Sequence, residues 1–380
     1  MSNIFDSGFN DCSGCSACAL QCPYNAIEMS FNENGFYTPL LHENKCISCG
    51  KCKKVCYKFL ENKNIESFYS FKNDTVFAVT NNFFEQLDEV TTVGVATRIA
   101  KVFYEKGYSI YGVEFDPVTN RCSHIEVEDT SDIDKLKGSK YLQSSCYDGF
   151  LKALNNNNNA IIFGTPCQIY GLRKILENSK NTHSRRIILI DLFCVGVPTL
   201  NLFKKYKIFL QDNFKLNGIK EINFKDKTQG WHKFSMMCKD DIGNKYRQNL
   251  HNDMFFSFFL RKICLNKSCY SCKLRHDSIF SDIRLGDFWG EKFREWDDGV
   301  GLVVLNSNVG EKCWNEIKNY FKYSECKLLD VFESQKIDKY NPPIIYNDVI
   351  DALKTDETLE SIFVRLGVNK YSYNVDNIDK

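Results

Sequence analysis

Residues 12–56 hold two copies of one cysteine spacing, and that spacing limits what the chain can be. The first copy reads Cys12-Ser-Gly-Cys15-Ser-Ala-Cys18-Ala-Leu-Gln-Cys22-Pro23, the second Cys46-Ile-Ser-Cys49-Gly-Lys-Cys52-Lys-Lys-Val-Cys56. A cubane iron–sulfur cluster needs four thiolates converging from tetrahedral directions. Two intervening residues let three cysteines of one tight loop curl around a cube. The fourth, three residues further on, points away and ligates the other cluster. The spacing assigns one 4Fe-4S cluster to Cys12, Cys15, Cys18 and Cys56, and a second to Cys46, Cys49, Cys52 and Cys22. The rival readings are a disulfide scaffold and paired zinc sites. Disulfides need an oxidising compartment, and no charged-then-apolar leader precedes Cys12. Zinc usually takes cysteines in pairs rather than in runs of four. One asymmetry stands in the repeat: Tyr57 follows Cys56 where Pro23 follows Cys22.

With 380 residues, the chain has room behind the first sixty for one large or two medium domains. A net charge of +1 argues against electrostatic nucleic-acid binding and offers no membrane-surface patch. No apolar run reaches the length of a membrane span. The expectation is a soluble cytoplasmic protein whose 18 cysteines serve as metal-bound thiolates and buried thiols.

The fold expected is an α+β dicluster ferredoxin domain followed by an α/β domain with a mixed sheet and a helical C-terminal tail. Its parts are residues 1–60, 75–155, 156–335 and 336–380, with a polar linker over 58–74. Within the ferredoxin part, strands at 26–30 and 36–41 flank an Asn32-Glu-Asn-Gly35 turn. A strand at 75–80, a helix over 91–106, strands at 108–115 and 122–128, a helical turn at 131–136 and a helix over 145–154 follow. Residues 160–163 form a short apolar run ending at Gly164. Thr165, Pro166 and Gln168 then open a helix as N-cap, first residue and capping-box partner. A second buried strand over 187–193 ends at Cys194, and a strand–helix–strand unit makes the two strands parallel neighbours. Cys167 and Cys194 therefore sit beyond the carboxyl ends of adjacent strands, where open α/β sheets bind ligands. Further on come a helix over 199–214, strands at 219–225, 233–239 and 245–249, a helix over 253–264, a strand at 301–306 and a helix over 311–321.

Outside the ferredoxin part, Cys167 and Cys194 share a sheet edge, and Cys269 and Cys272 have ligand spacing. Together they are candidates for a third cubane. Structural zinc held by Cys264, Cys269, Cys272 and His276 is one rival, and four buried thiols without metal the other. The other cysteines, and the histidines at 42, 124, 183, 232 and 251, are isolated.

Several phrases resemble one family: Gly138-Ser-Lys-Tyr141, Gly164-Thr-Pro-Cys167-Gln168, Asp191-Leu-Phe-Cys194-Val-Gly196, Phe224-Lys-Asp-Lys227 with Gly230-Trp231, and Ser281-Asp-Ile with Gly286-Asp287-Phe-Trp-Gly290. The chain looks like a coenzyme F420 hydrogenase/dehydrogenase beta subunit with a dicluster ferredoxin fused in front. The resemblance covers about residues 1–310. It implies FAD near an internal 4Fe-4S cluster held by Cys167, Cys194, Cys269 and Cys272, with flavin contacts at Gly138, Ser139, Lys140, Tyr141, Gly164 and Thr165. It implies an oxidoreductase that moves electrons between the ferredoxin clusters and a small-molecule hydride donor or acceptor, with a redox protein as a further partner. The hydride partner it suggests is a deazaflavin or a sugar-linked compound of surface polysaccharide biosynthesis. The alternative is a non-catalytic electron-transfer subunit serving a partner reductase. The chain departs from the family pattern at Thr92-Val93-Gly94, where Ser-Gly-Gly is usual, and at Lys225, where Arg is usual. The electron bookkeeping stands apart from the resemblance: clusters pass single electrons, hydride carries two, and flavin converts between them.

Overall fold

Two sheets organise the larger part of the chain, and a hairpin with its two loops forms the smaller. The computed structural model describes residues 3–5, 11–59, 75–81, 92–179, 185–275, 278–335 and 340–371. The linker expected beyond Phe59, the helix start at Thr91 and His276 lie outside these residues.

In the smaller part β1 (Ile27–Phe31) pairs antiparallel with β2 (Tyr37–Leu41), Phe31 facing Tyr37. The connecting turn contains Gly35 at φ +76°, and a Cβ there would meet the Thr199 hydroxyl at 2.5 Å. Glycine is needed on both counts. The turn rests on the start of the helix Leu200–Phe214: Thr199 donates its hydroxyl to the Asn34 carbonyl at 2.5 Å, and the Leu200 N–H donates to the Gly35 carbonyl at 3.0 Å.

The main sheet takes strands from both halves of the remaining chain. They are β3 (Val76–Asn81), β4 (Ser109–Asp116), β5 (Arg121–Glu126), β6 (Ser144–Ser145), β7 (Ala160–Phe163), β8 (Ile187–Leu192), then, after the three strands of a second sheet, β12 (Ile283–Asp287), β13 (Gly301–Leu305) and β14 (Phe321–Glu325). Their spatial order is β14-β3-β13-β12-β8-β7-β4-β5-β6. The β4–β7, β7–β8 and β8–β12 pairs are parallel, so the centre of this mixed sheet is a parallel block with antiparallel strands on both sides. The expected parallel neighbours, β7 and β8, register Ile161 against Ile188. The second sheet is the antiparallel β9 (Glu221–Asp226), β10 (Ser235–Lys239) and β11 (Lys245–Asn249).

Several elements differ from expectation, three of them near the core or the site. Residues 283–287 form a central strand, although Gly286 and Asp287 weaken its pattern; a Cβ on Gly286 would lie 2.7 Å from the Phe193 ring, so the glycine admits that ring. The helix expected over 311–321 runs from Asn308 to Ile317, capped by Ser307 accepting from the Gly310 N–H at 3.1 Å, and Phe321 opens strand β14 instead. The helix expected over 253–264 spans only Met254–Phe259, with Phe255, Phe256, Phe258 and Phe259 all buried in an aromatic core. That core also takes Val349 and Ile362 from the C-terminal helices Tyr346–Ala352 and Leu359–Arg365. Among the described residues no helix is long and apolar enough to cross a membrane.

Candidate redox centres and cofactor cavity

The sequence repeat is also a backbone repeat. Gly14 and Ser48, two residues after Cys12 and Cys46, are left-handed at φ +71° and +53°; Ser16 and Gly50, one residue after Cys15 and Cys49, are left-handed at φ +60° and +75°. Each loop thus turns twice before a one-turn helix, Ala17–Leu20 or Lys51–Lys54. Such turns point three thiols of a loop to one centre. The quartets converge across the repeat. The Cys18 thiol, pushed well up by burial, is pushed further by Cys12, Cys15 and Cys56, and Cys12 likewise feels Cys15 and Cys56. Cys22, Cys46, Cys49 and Cys52 line one small cavity of about 20 Å³. Backbone N–H groups of Gly14 and Ala26 reach the sulfurs of Cys12 and Cys22 at 3.2 and 3.3 Å, and the Asn3 amide donates to Cys46 Sγ at 3.7 Å. Burial first, and Cys56 second, push the Cys15 thiol up to about 11. Buried thiolates form in such a place only opposite positive charge, which iron supplies.

Cys167, Cys194, Cys269 and Cys272 also come together. Cys167 occupies the first turn of the helix Pro166–Asn178, and Cys194 lies just past β8. Cys269 lies in the short helix Lys267–Tyr270, with Cys272 just beyond it. The segment after Cys194 is tied to the one before Cys269 by the Pro198–Leu265 bridge and by the Asn266 N–H donating to the Val197 carbonyl at 2.9 Å. Arg275 donates to the carbonyls of Cys194 and Val195 at 3.2 Å, and to that of Cys269. Burial pushes the Cys167 and Cys194 thiols up to about 12, with smaller contributions from Cys15 and then Cys272 at Cys167, and from Cys167 and Cys272 at Cys194. Cys264 is elsewhere: its buried thiol sits in the aromatic core beside the Thr199 N–H. Among the described residues no three His, Cys, Asp or Glu side chains close on a point that one ion could occupy. The four cysteines are mutual neighbours: each of Cys167, Cys194 and Cys269 feels others of the set.

A cavity of about 980 Å³ opens at the carboxyl ends of β7, β8 and β12. That size is at the upper end for a cofactor site. All six residues expected to contact flavin line it, from Gly138 through Tyr141 and at Gly164 and Thr165. Lys140 does not turn its charge to a ligand there: its ammonium donates to the carbonyls of Lys135 and Lys137 at 3.0 and 2.6 Å, and burial brings its pKa down to about 8. The Thr92-Val93-Gly94 turn also borders the cavity and leads into the helix Val95–Glu105, so backbone N–H groups at that helix start lie beside it. Val93 is buried against Gly301.

The sequence phrases include Lys225, Asp287 and Trp289 but do not show that these residues meet on the wall opposite. Asp287, at the end of β12, accepts from the Thr92 hydroxyl and from the ammonium of the buried Lys225. Lys225 lies 4.4 Å from the Trp289 ring, which stacks on Trp231 at 4.4 Å. Burial brings the Lys225 pKa down while Asp287 opposes that shift. Asp282, by contrast, is structural: it accepts from Arg173 at 3.0 Å, the Leu189 N–H at 2.9 Å and the Ser307 hydroxyl at 2.7 Å.

The cavity and the cysteine sets are contiguous. Thr165, a cavity residue, places its hydroxyl 3.3 Å from Cys167 Sγ. Phe193 and Val195 line the cavity on either side of Cys194. Behind the wall, Cys167 packs with Cys15, Ala17 and Val55. Tyr57, buried between the two sets, packs against Cys167 and Cys272.

Residues 157–328 match the family defined by the C terminus of the coenzyme F420 hydrogenase/dehydrogenase beta subunit, and residues 11–58 match the 4Fe-4S dicluster domain. Among similar proteins is one component of the F(420)H(2) dehydrogenase of Methanosarcina mazei, 21% identical over 83% of this chain and 84% of that one. Another is the coenzyme F420-dependent sulfite reductase of Methanocaldococcus jannaschii, 23% identical over 88% of this chain but only 49% of that one. A chain of the F420-reducing NiFe hydrogenase complex from Methanosarcina barkeri shares the fold, with a TM-score of 0.50 and 19% identity over 74% of this chain and 92% of that one.

Proposed function

Since this chain belongs to the family of coenzyme F420 hydrogenase/dehydrogenase beta subunits and carries a 4Fe-4S dicluster domain, it is an iron–sulfur redox protein, and we propose that it is a flavin-dependent oxidoreductase. Its clusters exchange electrons with a small-molecule hydride donor or acceptor through FAD. One observation carries the proposal: a cofactor-sized cavity shares Thr165 and the Phe193–Val195 segment with a cysteine set that in turn packs on Cys15.

The residues fit the groups they would hold. Cys12, Cys15, Cys18 and Cys56 would hold one cube, Cys46, Cys49, Cys52 and Cys22 the second, and Cys167, Cys194, Cys269 and Cys272 a third. The cavity would hold FAD, its diphosphate at the Gly94–Val95 helix start and its ring system toward Thr165, Phe193 and Val195. Flavin accepts electrons in pairs and releases them singly. The chain's own part is to exclude water with Phe193, Tyr141 and Trp289, to keep the Lys225–Asp287 pair buried beside the cavity, and to place the Thr165 hydroxyl against Cys167.

Anaerobic purification with iron, sulfide and flavin analysis tests this. Three cubes give about twelve iron per chain and two give about eight. The expected result is about twelve iron, one FAD, and bleaching of the flavin by a reduced deazaflavin with no second protein present. About eight iron and no flavin after reconstitution would defeat the proposal in favour of a non-catalytic electron-transfer role.

A further inference from the structure

We infer that the outer face of the ferredoxin part, around Cys46 and Cys49, is a docking surface for an acidic one-electron carrier protein of the ferredoxin or flavodoxin class. This deepens the proposed function, because it rests on the second cysteine quartet holding a redox centre. The two quartets differ in depth. In the first, Cys15, Cys18 and Cys56 are at most 9% exposed and Cys12 is half-buried; in the second, Cys52 is buried at 7%, whereas Cys22, Cys46 and Cys49 are only half-buried. The first quartet faces inward, where Cys15 packs with Cys167. The second faces out.

What surrounds the second quartet is a protein-binding surface in its chemistry. Tyr24 and Ile47 border the small cavity of the four cysteines and are 50% and 60% exposed. Large apolar side chains so exposed beside a redox centre offer the dry core of a small transient interface. Lys45 and Lys51 border the same cavity, and Lys54 is exposed on the same short helix as Lys51. None of these three ammonium groups forms an ion pair among the described residues. From Glu43 to Lys58, five lysines face one acidic residue, a net of +4 on a chain whose total is +1. A local basic field around an apolar centre, on a protein with almost no net charge, selects an acidic partner and speeds its encounter. The step it serves is a single electron passing between the partner's centre and the second-quartet cluster, one oxidised as the other is reduced, with no bond made and no proton moved.

The test compares the reconstituted full chain with a K45E/K51E/K54E variant. The probes are an acidic dicluster ferredoxin and, as a control of opposite charge, a basic c-type cytochrome. Affinity is read by surface plasmon resonance with both proteins oxidised, at 20 and 200 mM salt, and electron transfer by stopped flow from photochemically reduced ferredoxin. Iron content and absorbance of the variant confirm that its clusters are intact. The expected results are ferredoxin affinity and rate falling tenfold or more in the variant, falling with salt in the parent, and the cytochrome responding in the opposite sense. Ferredoxin binding that ignores both salt and charge reversal overturns the inference, as does self-association of the chain through this face. Salt-sensitive binding without electron transfer would uphold the docking surface and count instead against the redox reading of the quartet.

Discussion

The hydroxyl of Thr165 lies 3.3 Å from Sγ of Cys167 and belongs to the wall of the large cavity. The same side chain therefore touches both the space proposed for flavin and a ligand proposed for the third cluster. A hydrogen bond to a cluster sulfur stabilises the more reduced, more negative state and raises the potential. Thr165→Val removes the hydroxyl and keeps the shape. One such bond is worth about 1 kcal/mol, which for one electron is a fall of about 40 mV in the midpoint of that cluster. Thr165→Ser should restore the potential. An EPR-monitored redox titration reads the difference, and the N-terminal clusters should keep their midpoints in both variants.

Gly171 lies one helical turn beyond Cys167, on the same face of the helix. A Cβ at Gly171 would stand 2.6 Å from the Ala17 Cβ and 3.8 Å from Cys15 Sγ. Only a bare backbone lets this helix approach the first cysteine loop so closely. Gly171→Val should force the two parts of the molecule apart, lowering stability by about 1–3 kcal/mol as overpacking does. The informative readout is magnetic: spin coupling between the first and third clusters should weaken, while total iron stays the same. Unchanged coupling would mean that the helix does not set the distance.

The cysteine runs were legible because a cubane loop is a local structure, written in consecutive residues. So were β7, β8 and the helix between them, where apolar runs, Thr165 and Pro166 act locally. Strand β12 was not, since Arg284 is buried in it and pairs with Asp191 on the neighbouring strand, a reason that exists only after the sheet forms. The Asp287–Lys225–Trp289 wall was hidden in the same way. Its members come from separate strands and loops, and the family phrases that contain them do not say that they meet. The left-handed repeat at Gly14 and Ser48 could have been found by aligning the two runs, because the positions correspond.

Asp253 caps the aromatic helix Met254–Phe259 from inside the core. Its carboxyl accepts from the Tyr206 and Tyr246 hydroxyls at 2.6 and 2.9 Å and from the Phe256 N–H at 2.9 Å. Burial outweighs these bonds and pushes its pKa up to about 6, from an ordinary value of 3.8. An acid whose pKa is raised on folding holds its proton more tightly in the native state. Its contribution is thus full below pH 3.8 and lost as pH rises through about 6. The difference amounts to about 3 kcal/mol. Between pH 5 and pH 8 the parent should lose thermal stability relative to Asp253→Asn, which cannot ionise. Parallel melting curves over that range would remove Asp253 as the source.

Asp191 and Arg284 form the most enclosed ion pair near the cavity. Arg284 donates from Nη2 at 2.6 Å and from Nε at 2.9 Å, and the Ser281 hydroxyl donates to the same carboxylate at 2.7 Å. Both side chains are almost fully buried, at 0% and 1% exposure. The pair joins β8 to β12 close to where β8 runs into Phe193 and Cys194, and Arg284 lies 5.5 Å from the Phe193 ring. Two such charges repay their desolvation only while both are present. Asp191→Ala should leave the guanidinium buried without its carboxylate, keeping the Leu274 carbonyl as an acceptor, and cost about 3–5 kcal/mol. The double variant Asp191→Leu with Arg284→Met removes both charges and should recover most of that loss. Melting temperatures of the three proteins measure the coupling. Flavin content separates fold from site: a double variant that is stable yet binds flavin weakly would show that the pair shapes the cavity, whereas full binding would limit its role to holding the two strands together.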